Sequence, residues 1–343
     1  MKFIKEEIVN GNIPFNECHA ASLVNLEGGG FMAVWFAGSK EGKNDVAIWM
    51  TRRNEGGWSA PEVITKIAYE PHWNPVLFRT NTGELDLYFK LGLKIPDWTT
   101  WVMRSNDEGQ TWSKPVELVP GDNSGGRGPV KNKPITLSNG TIAAPASIER
   151  DKWEAFVDLS NDGGLNWTQS NLVPMEDIAI DDKFSGNRFG LIQPTLWESE
   201  PGNVHMLLRS NNGFIYRSDS LDFGKNWSRA YPTELPNNNS GIDLAKLEDG
   251  TLALAYNPVN GNWGTRKKLM LALSRDNGMT WGEKRIIDYT PEDETDGIKS
   301  EFSYPAVISI RNGGLAVAYT RHRKNIAFIA GSLNAILDNL SLA

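Results

Sequence analysis

Five residues that can titrate or hydrogen-bond stand at the heads of short apolar runs in this 343-residue chain. They are His19 in "CHAASLV", Asn74 in "HWNPVLF", Lys133 in "KNKPITL", Gln193 in "IQPTLW" and Tyr304 in "SYPAVIS". Asn74, Lys133, Gln193 and Tyr304 each directly precede a proline. A sixth run, "SGIDLAKL", has a register open between Gly241 and Asp243. Imidazole titrates near ~6.5 and phenol near ~10, so His19 can act as base or hydrogen-bonding group and Tyr304 as nucleophile or acid. Gathered around one concavity, such groups form a site for a polar ligand. The competing reading is that several of them hydrogen-bond water trapped in a central channel.

What would gather them is a repeat. The pattern S-x-D-x-G-x-[TN]-W occurs in "SNDEGQTW", "SNDGGLNW", "SLDFGKNW" and "SRDNGMTW". Its tryptophans, Trp112, Trp167, Trp227 and Trp281, lie 54 to 60 residues apart, and "TRRNEGGW" ending at Trp58 is a degenerate copy. A period of this size marks a repeated supersecondary unit. Each unit reads as β: "SLVNLEGGGFMAVWF" and "PVLFRTNTGELDLYFK" are paired strands around a turn, and "VAIWMTRR" and "LMLALSRD" are single strands before the repeated loop. Six units of about four strands predict an all-β, six-bladed β-propeller. The expected blades are 18–65, 71–118, 128–172, 189–233, 240–288 and 302–333, all in one domain spanning 1–343. The last unit lacks a strand, which "KFIKEEIV" in 1–9 can supply, closing the ring. The loop itself reads as structural. Its aspartate accepts from backbone N–H groups two residues on, its glycine takes positive φ, and its tryptophan pins the hairpin.

Composition bounds the partners. A net charge of −7 with no Lys/Arg-rich patch argues against nonspecific nucleic-acid binding. No apolar segment reaches the ~18 residues of a membrane span. The start "MKFIKEEIVNG" has glutamates where a leader needs an apolar run, so the expected location is cytoplasmic. One cysteine, Cys18, allows no internal disulfide and reads as a small buried side chain rather than a nucleophile. The four histidines, His19, His72, His205 and His322, show no metal-ligand spacing, and neither a metal nor a cofactor is expected.

The chain resembles the sialidase (neuraminidase) superfamily. The repeated loop looks like that family's Asp-box, and the likeness extends over most of the sequence. Family sialidases grip the sialate carboxylate with three arginines, the first in an R-I-P-A-L start. They also carry an aspartate acid/base after the next strand, a glutamate that activates a tyrosine nucleophile, and that tyrosine late in the chain. By resemblance, "LLRSNNGFIYRSDS" gives Arg209 as the second arginine, "YNPVNGNWGTRKKLMLALS" gives Arg266 as the third, and "SYPAVISIRNGG" gives Tyr304 as the tyrosine. Two positions depart from the pattern. His19 in "HAASLV" replaces the first arginine, and Gln193 in "IQPTLW" replaces the glutamate. The acid/base loop "AGSKEGKNDVAIW" offers Glu41 and Asp45, and the match is open between them.

Three functional readings follow. In the first, a sialidase-like hydrolase cleaves a terminal acidic sugar from a glycan. Arg209 and Arg266 hold its carboxylate, with Lys133 adding positive charge, and His19 takes the proton that Gln193 cannot. Glu41 or Asp45 then protonates the leaving oxygen. In the second, a uronate lyase works by β-elimination. Gln193, Asn74 and Arg209 neutralise the carboxylate, His19 or His72 is the base and Tyr304 the acid. In the third, a propeller binds glycans without catalysis, with Trp73, Trp98 and Trp101 available to stack on sugar faces. In every case the expected partner is an acidic oligosaccharide.

Overall fold

The computed structural model describes residues 1–342 except Asn10, Asn12, Ala68 and 292–299. Among these, the strands form six antiparallel sheets arranged as a β-propeller. The inner strands are Glu17–Asn25, His72–Arg79, Ile135–Thr136, Leu191–Glu200, Asp243–Lys246 and Phe302–Ile310, one for each of blades 1 to 6. Ile4–Glu7 pairs with Asn325–Ser332, so the N-terminal strand is the outer strand of blade 6 and closes the ring as expected. The short helix Leu333–Asn339 leads to Ser341–Leu342, which extends the outer edge of blade 5.

Period-two alternation explains how blades pack. In Phe31–Gly38 of blade 1, Phe31, Ala33 and Trp35 face a cluster with Ala316, Ala318 and Phe328 of blade 6. The intervening Met32, Val34 and Phe36 pack on Leu87 and Phe89 of blade 2. Both faces of the strand are buried, so it reads as a continuous apolar run.

The repeated loops are self-contained. In each, the serine hydroxyl accepts from the glycine N–H, as from Gly109 to Ser105 (2.8 Å) and Gly278 to Ser274 (2.8 Å). Each glycine has positive φ, between 70° and 85°. The aspartate accepts from the residue four positions on rather than two, at Thr111, Asn166, Asn226 and Thr280 (2.9 Å each). Acceptance from two positions on belongs to the serine: Ser105, Ser160 and Ser220 also take the N–H of Asp107, Asp162 and Asp222 at 3.4, 3.5 and 3.4 Å.

Candidate active site

One device recurs at the head of the inner strands. The ladder register slips between His19 and Ser22, Trp73 and Val76, Ile192 and Thr195, and Ser303 and Ala306. Within each slip one non-glycine residue has positive φ: Ala20 (56°), Asn74 (39°), Gln193 (52°) and Tyr304 (51°). A bulge re-aims the side chain it carries, and such backbone is strained for an L-residue. This register corrects the ring predicted from sequence. In blade 1 the bulged position belongs to Ala20, and His19 lies one residue earlier. In blade 5 Gly241 backs the tyrosine: a Cβ there would lie 3.0 Å from Lys131 Cε and 3.3 Å from Tyr304 Cδ2.

A cavity of about 530 Å³ opens at this end of the blades. Glu41 of blade 1, Lys94–Pro96 of blade 2, and Glu149 and Trp153 of blade 3 line it, with Phe184 from the connection to blade 4. Arg209 of blade 4, Trp263 and Arg266 of blade 5, and Tyr304 and Arg323 of blade 6 complete the wall. Most of these lie at or near the connection between a blade's second and third strands, which returns to the end where the inner strand begins.

Tyr304 is the centre of the polar contacts. Arg209 Nη1 donates to its phenolic oxygen (2.7 Å) and to Gln193 Oε1 (3.1 Å). The Arg266 guanidinium carbon lies 5.6 Å from the tyrosine ring centroid. Asn239 connects the two arginines: its Oδ1 accepts from Arg209 Nε (2.8 Å) and its carbonyl from Arg266 Nη2 (3.4 Å). Arg323 is a third cavity guanidinium. It sits on a two-residue turn in which His322 (55°) and Arg323 (58°) both have positive φ, closed by Lys324 N–H to Arg321 O (3.0 Å). That is the geometry of a tight hairpin, usually built from Asn and Gly.

Carboxylates alternate with these arginines. Glu301 accepts from Arg266 Nη1 (2.9 Å) and Arg323 Nε (3.1 Å), and Arg323 Nη1 also donates to Glu41. Burial opposes the charge on Glu301, but Arg266 and Arg323 outweigh it and hold its carboxyl below the usual carboxylate range. Glu149 differs. Its Oε1 accepts from Ser147 Oγ (3.1 Å) and Gln193 Nε2 (3.2 Å). Burial raises its pKa, with Arg209 only partly opposing.

The other predicted residues lie elsewhere. His19 packs on Tyr304, ring centroids 4.1 Å apart, and its Nδ1 is 2.9 Å from Thr320 Oγ1. Its Nε2 is buried without a partner among the described residues, and burial and Arg323 hold its pKa well below the ordinary value. It supports the ring and does not meet the phenolic oxygen. His72 Nε2 accepts from Ile67 N–H (3.0 Å) and its Nδ1 lies against the carbonyls of Val46 and Glu70; burial pushes its pKa down to about 4. Asp45 is exposed and accepts from Ser39 N–H and Oγ (2.8 Å each), so it braces its own loop. Asp243 accepts from Lys133 (2.9 Å), Thr195 Oγ1 (2.9 Å) and Val307 N–H (2.7 Å), so the Lys133–Asp243 pair ties blades 3, 4, 5 and 6 together. Asn74 is buried outside the cavity wall. Trp73 and Trp98 are buried and donate to Gly92 O and Gly125 O, and Trp101 packs in the core between blades 1 and 2. The aromatic wall is instead Trp153, Phe184 and Trp263, the last two about half exposed. Sequence reasoning missed Arg323, Glu149, Asn239 and Glu301. The basic turn "RHRKN" between two apolar strands was the legible signal for Arg323.

The profile of the BNR repeat-like domain matches residues 29–317. The chain belongs to this family, within the sialidase superfamily. A sialidase of Paraclostridium sordellii is 25% identical over 252 residues, 65% of this BNR-repeat chain and 56% of that protein. The chain thus spans little more than half of that relative's length. A Hadza microbial sialidase superposes with a TM-score of 0.74 at 18% identity, over 93% of this chain and 66% of that one. A leech intramolecular trans-sialidase, solved with 2,7-anhydro-Neu5Ac, gives a TM-score of 0.72 at 14% identity, over 96% and 71% of the two chains.

Proposed function

We propose that this sialidase-fold chain is an exo-acting glycoside hydrolase that removes a terminal acidic sugar, of the sialic acid class, from a glycan. The observation that carries this reading is the meeting of Tyr304 with Arg209 at 2.7 Å in one cavity with Arg266 and Arg323. Three guanidiniums match a carboxylate by charge-assisted, fork-shaped hydrogen bonds. The cavity is of the size that holds one sugar. Tyr304 supplies the attacking oxygen, and Arg209 places positive charge where the phenol becomes an anion. A carboxyl of the cavity protonates the departing oxygen. His19, which stands where the family's first arginine is expected, does not line the cavity, and Arg323 brings a guanidinium from blade 6 instead.

Uronate elimination calls for a base, and neither His19 nor His72 lines the cavity. This favours hydrolysis. The test is to incubate the protein with sialyllactose and with an aryl sialoside, and to weigh the released sugar. Free acid shows hydrolysis, a product one water lighter shows intramolecular transfer, and a conjugated ultraviolet absorbance from uronate glycans shows elimination. Binding without release of any acidic sugar would overturn the hydrolase in favour of a glycan-binding propeller.

A further inference from the structure

Two glutamates line the cavity, in opposite surroundings. Glu41 is held in an ion pair with Arg323, which ties its carboxyl to the turn of blade 6. Glu149 ends the strand Ile142–Glu149 and stands opposite Trp153 in the ladder, at the aromatic side of the cavity. Its hydrogen bonds come from the neutral groups Ser147 and Gln193, both to Oε1. The charged groups that face it are Arg209 of blade 4 and Lys90 of blade 2. Neither bonds to it: Lys90 Nζ donates to Thr100 Oγ1 and Arg127 O (2.7 Å each), and Arg209 is turned to Gln193, Asn239 and Tyr304. Gln193 thus stands between the carboxyl and the arginine, holding one by Nε2 and the other by Oε1.

Resting on the proposed hydrolase, we infer that Glu149 is the general acid of the cavity, donating the proton that the departing glycosidic oxygen takes. As the bond from the anomeric carbon to that oxygen breaks, its electron pair stays on the oxygen. The Glu149 O–H bond breaks and supplies the proton, and a Tyr304 oxygen pair forms the new bond to carbon. The phenolic proton passes to water. In the second half, Glu149 as carboxylate takes a proton from the attacking water, and the tyrosine oxygen leaves and is reprotonated. Burial keeps the acid form of Glu149 to higher pH than an ordinary glutamate. Acid catalysis is therefore lost as pH rises through that raised pKa.

The experiment compares Glu149→Gln with wild type on sialyllactose, whose leaving group needs a proton, and on 4-nitrophenyl sialoside, whose leaving group does not. We expect kcat/KM to fall by about 10²-fold or more on sialyllactose and by less than about 10-fold on the aryl substrate. The basic limb of the pH profile should also disappear. Equal losses on both substrates with an unchanged melting temperature, or no loss on either, would overturn the inference while leaving the hydrolase standing. No turnover of either substrate by wild type would overturn the hydrolase and this role together. Should Glu149→Gln not fold, Glu149→Asp, which keeps the acid but withdraws it, is read by the same substrate ratio.

Discussion

The two ends of the blades obey opposite rules. At one end, between third and fourth strands, the chain writes the same loop four times with nearly the same hydrogen bonds. At the other, the same strained bulge recurs but carries a different residue each time: Ala20, Asn74, Gln193 and Tyr304. Where the residues repeat, the backbone is being closed locally and nothing beyond the loop is needed. Where the backbone repeats and the residues differ, the side chains meet different surroundings: Gln193 and Tyr304 meet Arg209, Ala20 packs in the core and Asn74 lies outside the cavity wall. The proposed chemistry sits at the second end, because a loop written four times cannot build a single asymmetric site.

The sharpest way to break this contrast is Tyr304→Phe. Removing one hydroxyl should abolish turnover, lowering kcat by about 10³-fold or more, with little change in melting temperature. An equal change at the other end, Ser274→Ala, should leave kcat within about 2-fold while lowering stability by about 1 kcal/mol, the value of a typical hydrogen bond. Steady-state kinetics and thermal melts on both variants decide it. Full activity in Tyr304→Phe would remove the tyrosine from the mechanism.

A smaller effect is expected at Arg323. Arg323→Ala removes a cavity cation and takes from Glu41 its ion-pair partner, at the site proposed for the sugar carboxylate. Charge-assisted hydrogen bonds contribute about 1.5–3 kcal/mol, so kcat/KM should fall by about 10- to 100-fold, mostly through KM. If KM for an acidic substrate were unchanged, Arg323 would be only a brace between blades 1 and 6.

These two residues also show what the sequence could and could not convey. The fold was legible because the loop is local: a serine, an aspartate and a glycine within a few residues close it wherever they occur. Arg209, Arg266 and Tyr304 were legible through the resemblance of their segments to those of the sialidase superfamily, and Tyr304 also through its place before a proline at an inner-strand start. His19 was misplaced by one residue because no proline marks the bulge at Ala20. Lys133 and Asp243 carry suitable charges at suitable positions, yet they satisfy each other across the axis, and pairing between blades leaves no trace in either segment. Glu149 comes from a strand end of blade 3 and Arg323 from a turn of blade 6, and only closure of the ring brings them to one cavity.

The smallest expected effect lies in the repeated loops and depends on pH. Hydrogen bonds from the side chains and backbone of Thr111, Asn166 and Thr280 hold the carboxyls of Asp107, Asp162 and Asp276 down to about 2. An ordinary aspartate titrates near ~3.9. The folded value is the lower one, so these carboxylates stabilise the fold above the unfolded value. Their contribution is lost as pH falls from ~3.9 through about 2. A variant with Asp107, Asp162 and Asp276 all changed to Asn keeps an acceptor in each loop but loses the charge. At neutral pH it should melt below wild type, and the gap should narrow steadily as pH falls through that window. Turnover at neutral pH should stay unchanged, because the loops lie at the far end of the blades from Tyr304. A gap in melting temperature that stayed constant with pH would show that the loops are held by shape alone, and lost turnover would show that the two ends of the blades are coupled.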